Sequence, residues 1–181
     1  MKTYIILFQL IFTSFLCSQW YQVYQSTSNY QGFYANLYFI DQNTGFVVCL
    51  DSGILKTTNS GLNWSPISGT SNYGLSLIQF TSPNVGYALG NVGFNNAYLL
   101  KTINGGSNWT LQNYSYYAFA MKFVDNNIGY ITDNNGTVHK TTNGGVSWSA
   151  FILNVQLLTA IDFINSSTGY VGTGSNQKLF S

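Results

Sequence analysis

Few side chains in this chain could do acid–base or ligand chemistry. Its 181 residues hold five acids, all Asp: Asp41, Asp51, Asp125, Asp133 and Asp162. The bases are six Lys, and neither Arg nor Glu occurs. Without Arg there is no bidentate guanidinium clamp for a phosphate or carboxylate. His139 is the one histidine, so a three-His metal site is excluded. The one acid chemistry left open is a pair of Asp carboxyls about 5–9.5 Å apart, as glycoside hydrolysis needs. Cys49 sits in the apolar run Phe46–Leu50 and reads as a small buried hydrophobe rather than a nucleophile. His139 reads as a packed residue, and Asp133–Gly136 as a hairpin turn that lacks the terminal Glu of a calcium loop. No catalytic, metal or cofactor site is expected. A formal charge of +1 offers no basic field, so no nucleic-acid partner is expected either.

The elements that position these residues are repeats. Phe39-Ile-Asp-Gln-Asn-Thr-Gly45-Phe46 recurs as Phe80…Gly86-Tyr87, Phe123…Gly129-Tyr130 and Phe163…Gly169-Tyr170. The period is ~40 residues. A second motif, Lys56-Thr57-Thr-Asn59-Ser-Gly61-Leu-Asn-Trp64, recurs as Lys101…Trp109 and Lys140…Trp148. In the third unit, Ala118–Val124 alternates and predicts a strand. Tyr130–Thr132, Thr137–Thr141 and Val146–Phe151 predict three more, separated by Asn- and Gly-rich turns. Four short strands in ~40 residues predict one blade of a β-propeller. With 14 Tyr, 13 Phe and 18 Gly, the composition also favours an all-β protein over a helix bundle.

The second motif predicts a clip between strands three and four. Thr57, Thr102 and Thr141 would bond the loop through their hydroxyls, and Asn59, Asn104 and Asn143 through an Asx turn. Gly61, Gly106 and Gly145 would take positive φ. Trp64, Trp109 and Trp148 would fold back over the turn.

This box resembles the bacterial neuraminidase repeat, or Asp-box, Ser/Thr-x-Asp-x-Gly-x-x-Trp, with Asn59, Asn104 and Asn143 in place of the Asp. The Lys-Thr-Thr-Asn-Gly-Gly-x-x-Trp form, joined to Phe-x5-Gly-Tyr, is similar to the propeller of the photosystem II stability/assembly-factor family and of many secreted bacterial proteins. The resemblance runs from about Trp20 to Ser181 and implies a fold far more than a function. Sialidases that carry the box use an arginine cluster and a Tyr/Glu pair, which this chain lacks. Xyloglucanases that carry it use paired Asp. The basic, Arg-rich surface of the photosystem factor is also missing.

Residues 1–18 carry Lys2, an apolar run and then small residues, the order of a secretory signal peptide cleaved near Ser18. The run is shorter than the ~20 residues of a membrane span. Residues 19–181 form the propeller. Trp20–Tyr24 reads as an outer strand that a closed ring would pair with its C-terminal strands. Residues 163–181 supply two or three strands of a fourth unit and stop before a fourth box. Together the units predict about four blades of a six- to eight-bladed ring.

The residues before each repeat Phe are Tyr38, Gln79, Lys122 and Asp162. Alternation sets them opposite Leu37, Ile78, Met121 and Ile161. The second set is expected in the packed layer between blades. The first is the candidate polar row facing the channel, with Lys122 approaching Asp162. Tyr114, Tyr116, Tyr117 and Phe119 form an aromatic cluster, as do Tyr21, Tyr24, Tyr30, Phe33 and Tyr34. Both are expected to pack against neighbouring blades.

The functional expectation is a secreted or cell-surface, non-catalytic binding scaffold whose partner is a protein or a polysaccharide. The alternatives are a fragment of a secreted glycoside hydrolase and a photosystem II assembly-factor-like protein.

Overall fold

Each alternating run between Gly- and Asn-rich turns is a strand in the computed structural model, which describes residues 5–7, 21–24, 34–93, 96–112, 114, 116–174 and 179–180. Strands β1 (Ile5–Leu7) and β2 (Tyr21–Tyr24) form a two-stranded sheet. Blade 1 is β3 (Tyr34–Phe39), β4 (Gly45–Cys49), β5 (Gly53–Thr57) and β6 (Ser65–Pro66). Blade 2 is β7 (Leu75–Phe80), β8 (Gly86–Val92), β9 (Asn96–Thr102) and β10 (Thr110–Gln112). Blade 3 is β11 (Ala118–Phe123), β12 (Gly129–Asp133), β13 (Thr137–Thr141) and β14 (Ser149–Ile152). Blade 4 has three described strands, β15 (Leu158–Phe163), β16 (Gly169–Thr173) and β17 (Leu179–Phe180). Every blade is antiparallel in sequence order, and the described residues contain no helix. The fold is an all-β propeller array.

Two expectations need correction. Strand β14 begins at Ser149 rather than Val146, because positive φ at Gly144 and Gly145 keeps the chain turning through Trp148. Among the described residues the segment ending at Tyr24 pairs with residues 5–7 and not with C-terminal strands: Tyr24 lies opposite Ile5, and Tyr21 opposite Leu7. Trp20 and most of the expected signal peptide lie outside the described residues.

Consecutive blades pack face to face. Strand β7 lies on β3 and β4, β11 on β7 and β8, and β15 on β11 and β12. Phe46, Val48 and Ile54 of blade 1 meet Leu75, Ile78, Phe80 and Ala88 of blade 2 in one buried cluster. Tyr87, Leu89 and Leu99 of blade 2 meet Ala118, Phe123 and Ile131 of blade 3 in the next. Each large aliphatic or aromatic side chain among them contributes roughly 1.5–3 kcal/mol of burial.

The Phe-x5-Gly-Tyr motif builds this seam. Within a blade, the Phe80 ring lies over Gly86, where an added Cβ would come within 2.7 Å of it. Glycine is required there for space, not for φ. The residue after the glycine points the other way, onto the Phe of the next blade. Phe46 stacks on Phe80 at 4.6 Å, Tyr87 on Phe123 at 3.4 Å and Tyr130 on Phe163 at 4.1 Å.

Candidate functional site

The three boxes repeat one hydrogen-bond pattern. Thr57 Oγ1 accepts from the Gly61 N–H at 3.0 Å and donates to Asn59 Oδ1 at 2.9 Å. Asn59 Oδ1 also accepts from the Asn63 N–H. Thr102 with Asn104 and Gly106 repeats this, as does Thr141 with Asn143 and Gly145. The three glycines have φ of 84°, 72° and 91°. Trp64 and Trp148 donate their indole N–H to Gly61 and Gly145 carbonyls. The buried Trp109 Nε1 has no such partner; its ring packs edge-on against Phe46 and Phe80. Each box is tied to the Phe-x5-Gly turn of its own blade by Ser60 N–H to Asn43 O, Gly105 N–H to Asn84 O and Gly144 N–H to Asn127 O. The lysines that open the first two boxes reach forward. Lys56 Nζ donates to Gly105 O and lies 5.3 Å from the Phe46 centroid, and Lys101 Nζ donates to Gly144 O in the same way. Burial lowers the Lys101 pKa.

The polar row faces the next blade. Tyr38 donates its hydroxyl to Phe80 O at 2.9 Å. Gln79 donates to Phe123 O at 2.7 Å and accepts from the Phe123 N–H at 2.9 Å. Lys122 reaches Asp162 at 2.7 Å. That hydrogen bond, then the Phe163 N–H, holds the Asp162 carboxyl below the usual range. Alternation set this row opposite Leu37 and Ile78, of which Ile78 is buried and Leu37, expected in the packed layer, is exposed. What it could not supply is that a propeller covers both faces with blades, so Tyr38 and Gln79 have their polar atoms bound between sheets. An open cleft of about 160 Å³ lies beside Tyr38, lined also by Ile40, Phe80, Thr81, Ser82 and Pro83.

Two of the carboxylates accept backbone bonds in their own turns. Asp41 Oδ1 accepts from the Asn43 and Thr44 N–H groups, which lower its pKa, Asn43 first. Asp125 does the same for Asn127 and Ile128 in blade 3. Asn165 takes that repeat position in blade 4 and makes the same two bonds. Asp51 is exposed in the β4–β5 hairpin. Among the described residues no three His, Cys, Asp or Glu side chains gather where they could hold a metal ion.

Blade 3 carries a feature the other blades lack. Asp133 and His139 are buried and 3.0 Å apart, Oδ2 to Nε2. Asp133 Oδ1 also accepts from the Asn135 and Thr137 N–H groups and closes the hairpin. The Tyr116 ring stacks on His139 at 4.4 Å, and Tyr114 meets it edge-on at 5.6 Å. Tyr114 is buried, its hydroxyl has no partner, and burial pushes its pKa well up, with the Asp133 charge second. Tyr116 keeps 51% of its surface exposed, while Tyr117 and Phe119 are half-buried. The expected packed cluster is therefore packed except for Tyr116, a flat ring fixed from below by a buried polar pair. Sequence reasoning missed that pair, although parity carried it. Ile131 lies opposite His139, which puts Asp133 and His139 on one face of the hairpin as diagonal neighbours. In the second aromatic cluster, Tyr30 and Phe33 lie outside the described residues.

A family model described as photosynthesis system II assembly factor YCF48 matches residues 13–150. No curated protein sequence matches the chain. Among solved structures it is similar to YCF48 bound to D1 peptide, at TM-score 0.63 and 19% identity over 79% of this chain and 47% of that one. It is also similar to the GH74 enzyme of Niastella koreensis, at TM-score 0.69 and 17% identity over 90% and 31%. The computationally designed Ika4 protein is matched at TM-score 0.63 and 16% identity over 86% and 93%. The chain spans less than half the length of the YCF48 chain. At these identities the likeness to solved structures is one of fold.

Proposed function

The chain belongs to the photosynthesis system II assembly factor YCF48 family, and from that premise we propose that it is a non-catalytic binding scaffold whose partner is a protein segment. The observation that carries the reading is Tyr116, a half-exposed ring held flat on the buried His139–Asp133 pair. A rigid aromatic surface binds at low entropic cost and suits an apolar or aromatic side chain of an extended segment. The chain's low charge points to recognition by aromatic and amide groups rather than by ion pairs. A relative in fold, YCF48, is solved with a bound D1 peptide, which supports a peptide partner here.

A hydrolase reading has less support. It needs two free carboxyls flanking one cleft. Asp41 and Asp125 accept backbone bonds in turns, Asp133 is buried against His139, and Asp162 is paired with Lys122. The likeness to a GH74 enzyme is a likeness of fold. The export part of the proposal, secretion or display at the cell surface, rests on residues 1–18; Edman sequencing of the mature protein should begin near Gln19.

The test is fluorescence anisotropy with labelled D1 peptide, alongside a reducing-sugar assay on xyloglucan. The expected result is saturable peptide binding, weakened about tenfold by Tyr116→Ala, and no sugar release. Sugar release, or tight xyloglucan binding without peptide binding, would overturn the reading.

A further inference from the structure

The outer edges of the blades are not alike. Blades 1, 2 and 3 each end in a described fourth strand, β6, β10 and β14. One position recurs in all three: Pro66 lies opposite Leu55, Leu111 opposite Leu100 and Ala150 opposite His139. In an antiparallel pair, the backbone bonds to one neighbour come from every second residue. Ile67 N–H donates to Ile54 O, and Leu153 N–H to Gly136 O. Pro66 and Ala150 therefore turn their backbone groups away from the sheet, as does Ile152. Blade 1 offers no N–H at this position, because the residue is proline. Blade 2 covers its carbonyl: Leu111 O accepts from the Gln112 side-chain amide at 3.4 Å. Both devices blunt an edge against a further strand.

Blade 3 has neither. Strand β14 reads Ser149-Ala150-Phe151-Ile152, all four residues exposed and none charged. Among the described residues nothing bonds the outward N–H and C=O groups of Ala150 or Ile152. Neighbouring blades cover faces and not outer edges, so packing within the array leaves this edge open. Directly opposite residues share a face, which puts Ala150 and Ile152 on the His139 face, where the Tyr116 ring sits.

We propose that β14 is an open edge that takes an extended, uncharged segment of another protein as a fifth strand of blade 3. This deepens the reading of Tyr116 as a peptide-binding ring and rests on it. Backbone bonds to Ala150 and Ile152 hold the segment, and its alternate side chains fall on the Tyr116 face. The residue opposite Ala150 is aromatic or long and aliphatic, and reaches over the small Ala150 side chain to the Tyr116 ring. With no charge along β14, a charged residue of the segment would lose water there without gaining a partner.

The test is anisotropy of the labelled D1 peptide on the full chain, with two changes of different kind. Ala150→Pro gives blade 3 the residue that blade 1 carries at this position. It removes an outward N–H and no bond to β13. The urea midpoint should stay near that of wild type while peptide binding weakens about tenfold or more. The second change leaves the protein untouched. Peptides N-methylated at every second backbone nitrogen should lose binding in one parity and keep it in the other. If Tyr116→Ala weakens binding but Ala150→Pro and both methylation parities leave it intact, the Tyr116 reading stands and strand addition is overturned. A wild-type chain that does not bind the peptide overturns both. A dimer in light scattering that Ala150→Pro dissolves puts a second copy on the edge, and overturns the proposal as well.

Discussion

The ring of Tyr87 lies flat on the ring of Phe123, with centroids 3.4 Å apart and planes 4° from parallel. One ring belongs to β8 and the other to β11, so the stack joins two blades with no chain connection at that point. Phe123→Ala should therefore cost about 3–5 kcal/mol, as for a large buried aromatic. Phe39→Ala removes the same residue at the same repeat position, but its ring is 36% exposed and should cost markedly less. Urea unfolding of both variants checks this. Equal losses would mean that the Phe acts through its own glycine and not through the seam.

The box threonines hold their turns through one oxygen. Thr141 Oγ1 accepts from the Gly145 and Asn143 N–H groups and donates to Asn143 Oδ1. Thr141→Val keeps the shape and leaves buried N–H groups unmet, at about 1–3 kcal/mol. Thr141→Ser should recover most of that. Asn59→Asp restores the acid of the related repeat. Its carboxylate would accept the Asn63 N–H and the Thr57 hydroxyl as a charge-assisted acceptor. That variant should unfold at slightly higher urea at pH 7, with the gain lost as the pH falls through the carboxyl's range. Denaturation midpoints at pH 7 and pH 3 test it.

Much of this was legible in the residues, for a physical reason. A box that bonds to itself over eight residues is local, so Thr141, Asn143, Gly145 and Trp148 declare their geometry by spacing. Strand alternation is local too, and it assigned Tyr38 and Leu37 to opposite faces. What covers each face depends on other blades, and Tyr38 is bonded to Phe80 of blade 2 rather than facing a channel. Tyr116 was hidden for the same reason: its exposure depends on how the β10–β11 connection crosses His139. Nothing within a few residues of Tyr116 encodes that crossing.

The buried pair in blade 3 is expected to be costly to break singly. Asp133→Ala would strip partners from His139 and from the Asn135 and Thr137 N–H groups at once, at about 3–5 kcal/mol. Blade 1 fills the matching positions with Cys49 and Leu55, both buried. The double variant Asp133→Cys with His139→Leu should therefore be less destabilised than Asp133→Ala. Peptide binding should still fall in the double variant, because Tyr116 loses the ring beneath it. Retained affinity would mean that Tyr116 is held by Tyr114 alone.

Cys49 is buried at the end of β4, and burial, with the Asp51 charge second, raises its thiol pKa from 9.0 to about 12. The folded state therefore keeps its proton where the unfolded state has lost it. That preference is fully present below pH 9 and is lost as the pH rises toward the folded value. The burial of Tyr87, whose phenol is raised from 10.0 to about 12, acts in the same direction. Stability should accordingly fall between about pH 9 and pH 12. Cys49→Ala should remove part of that slope while costing some packing at every pH. Urea midpoints across this window, with thiol labelling of the native protein, give the reading. Native Cys49 should stay unlabelled at pH 8 and label as the chain unfolds. Rapid labelling at pH 8 without unfolding would mean that the end of β4 opens on its own.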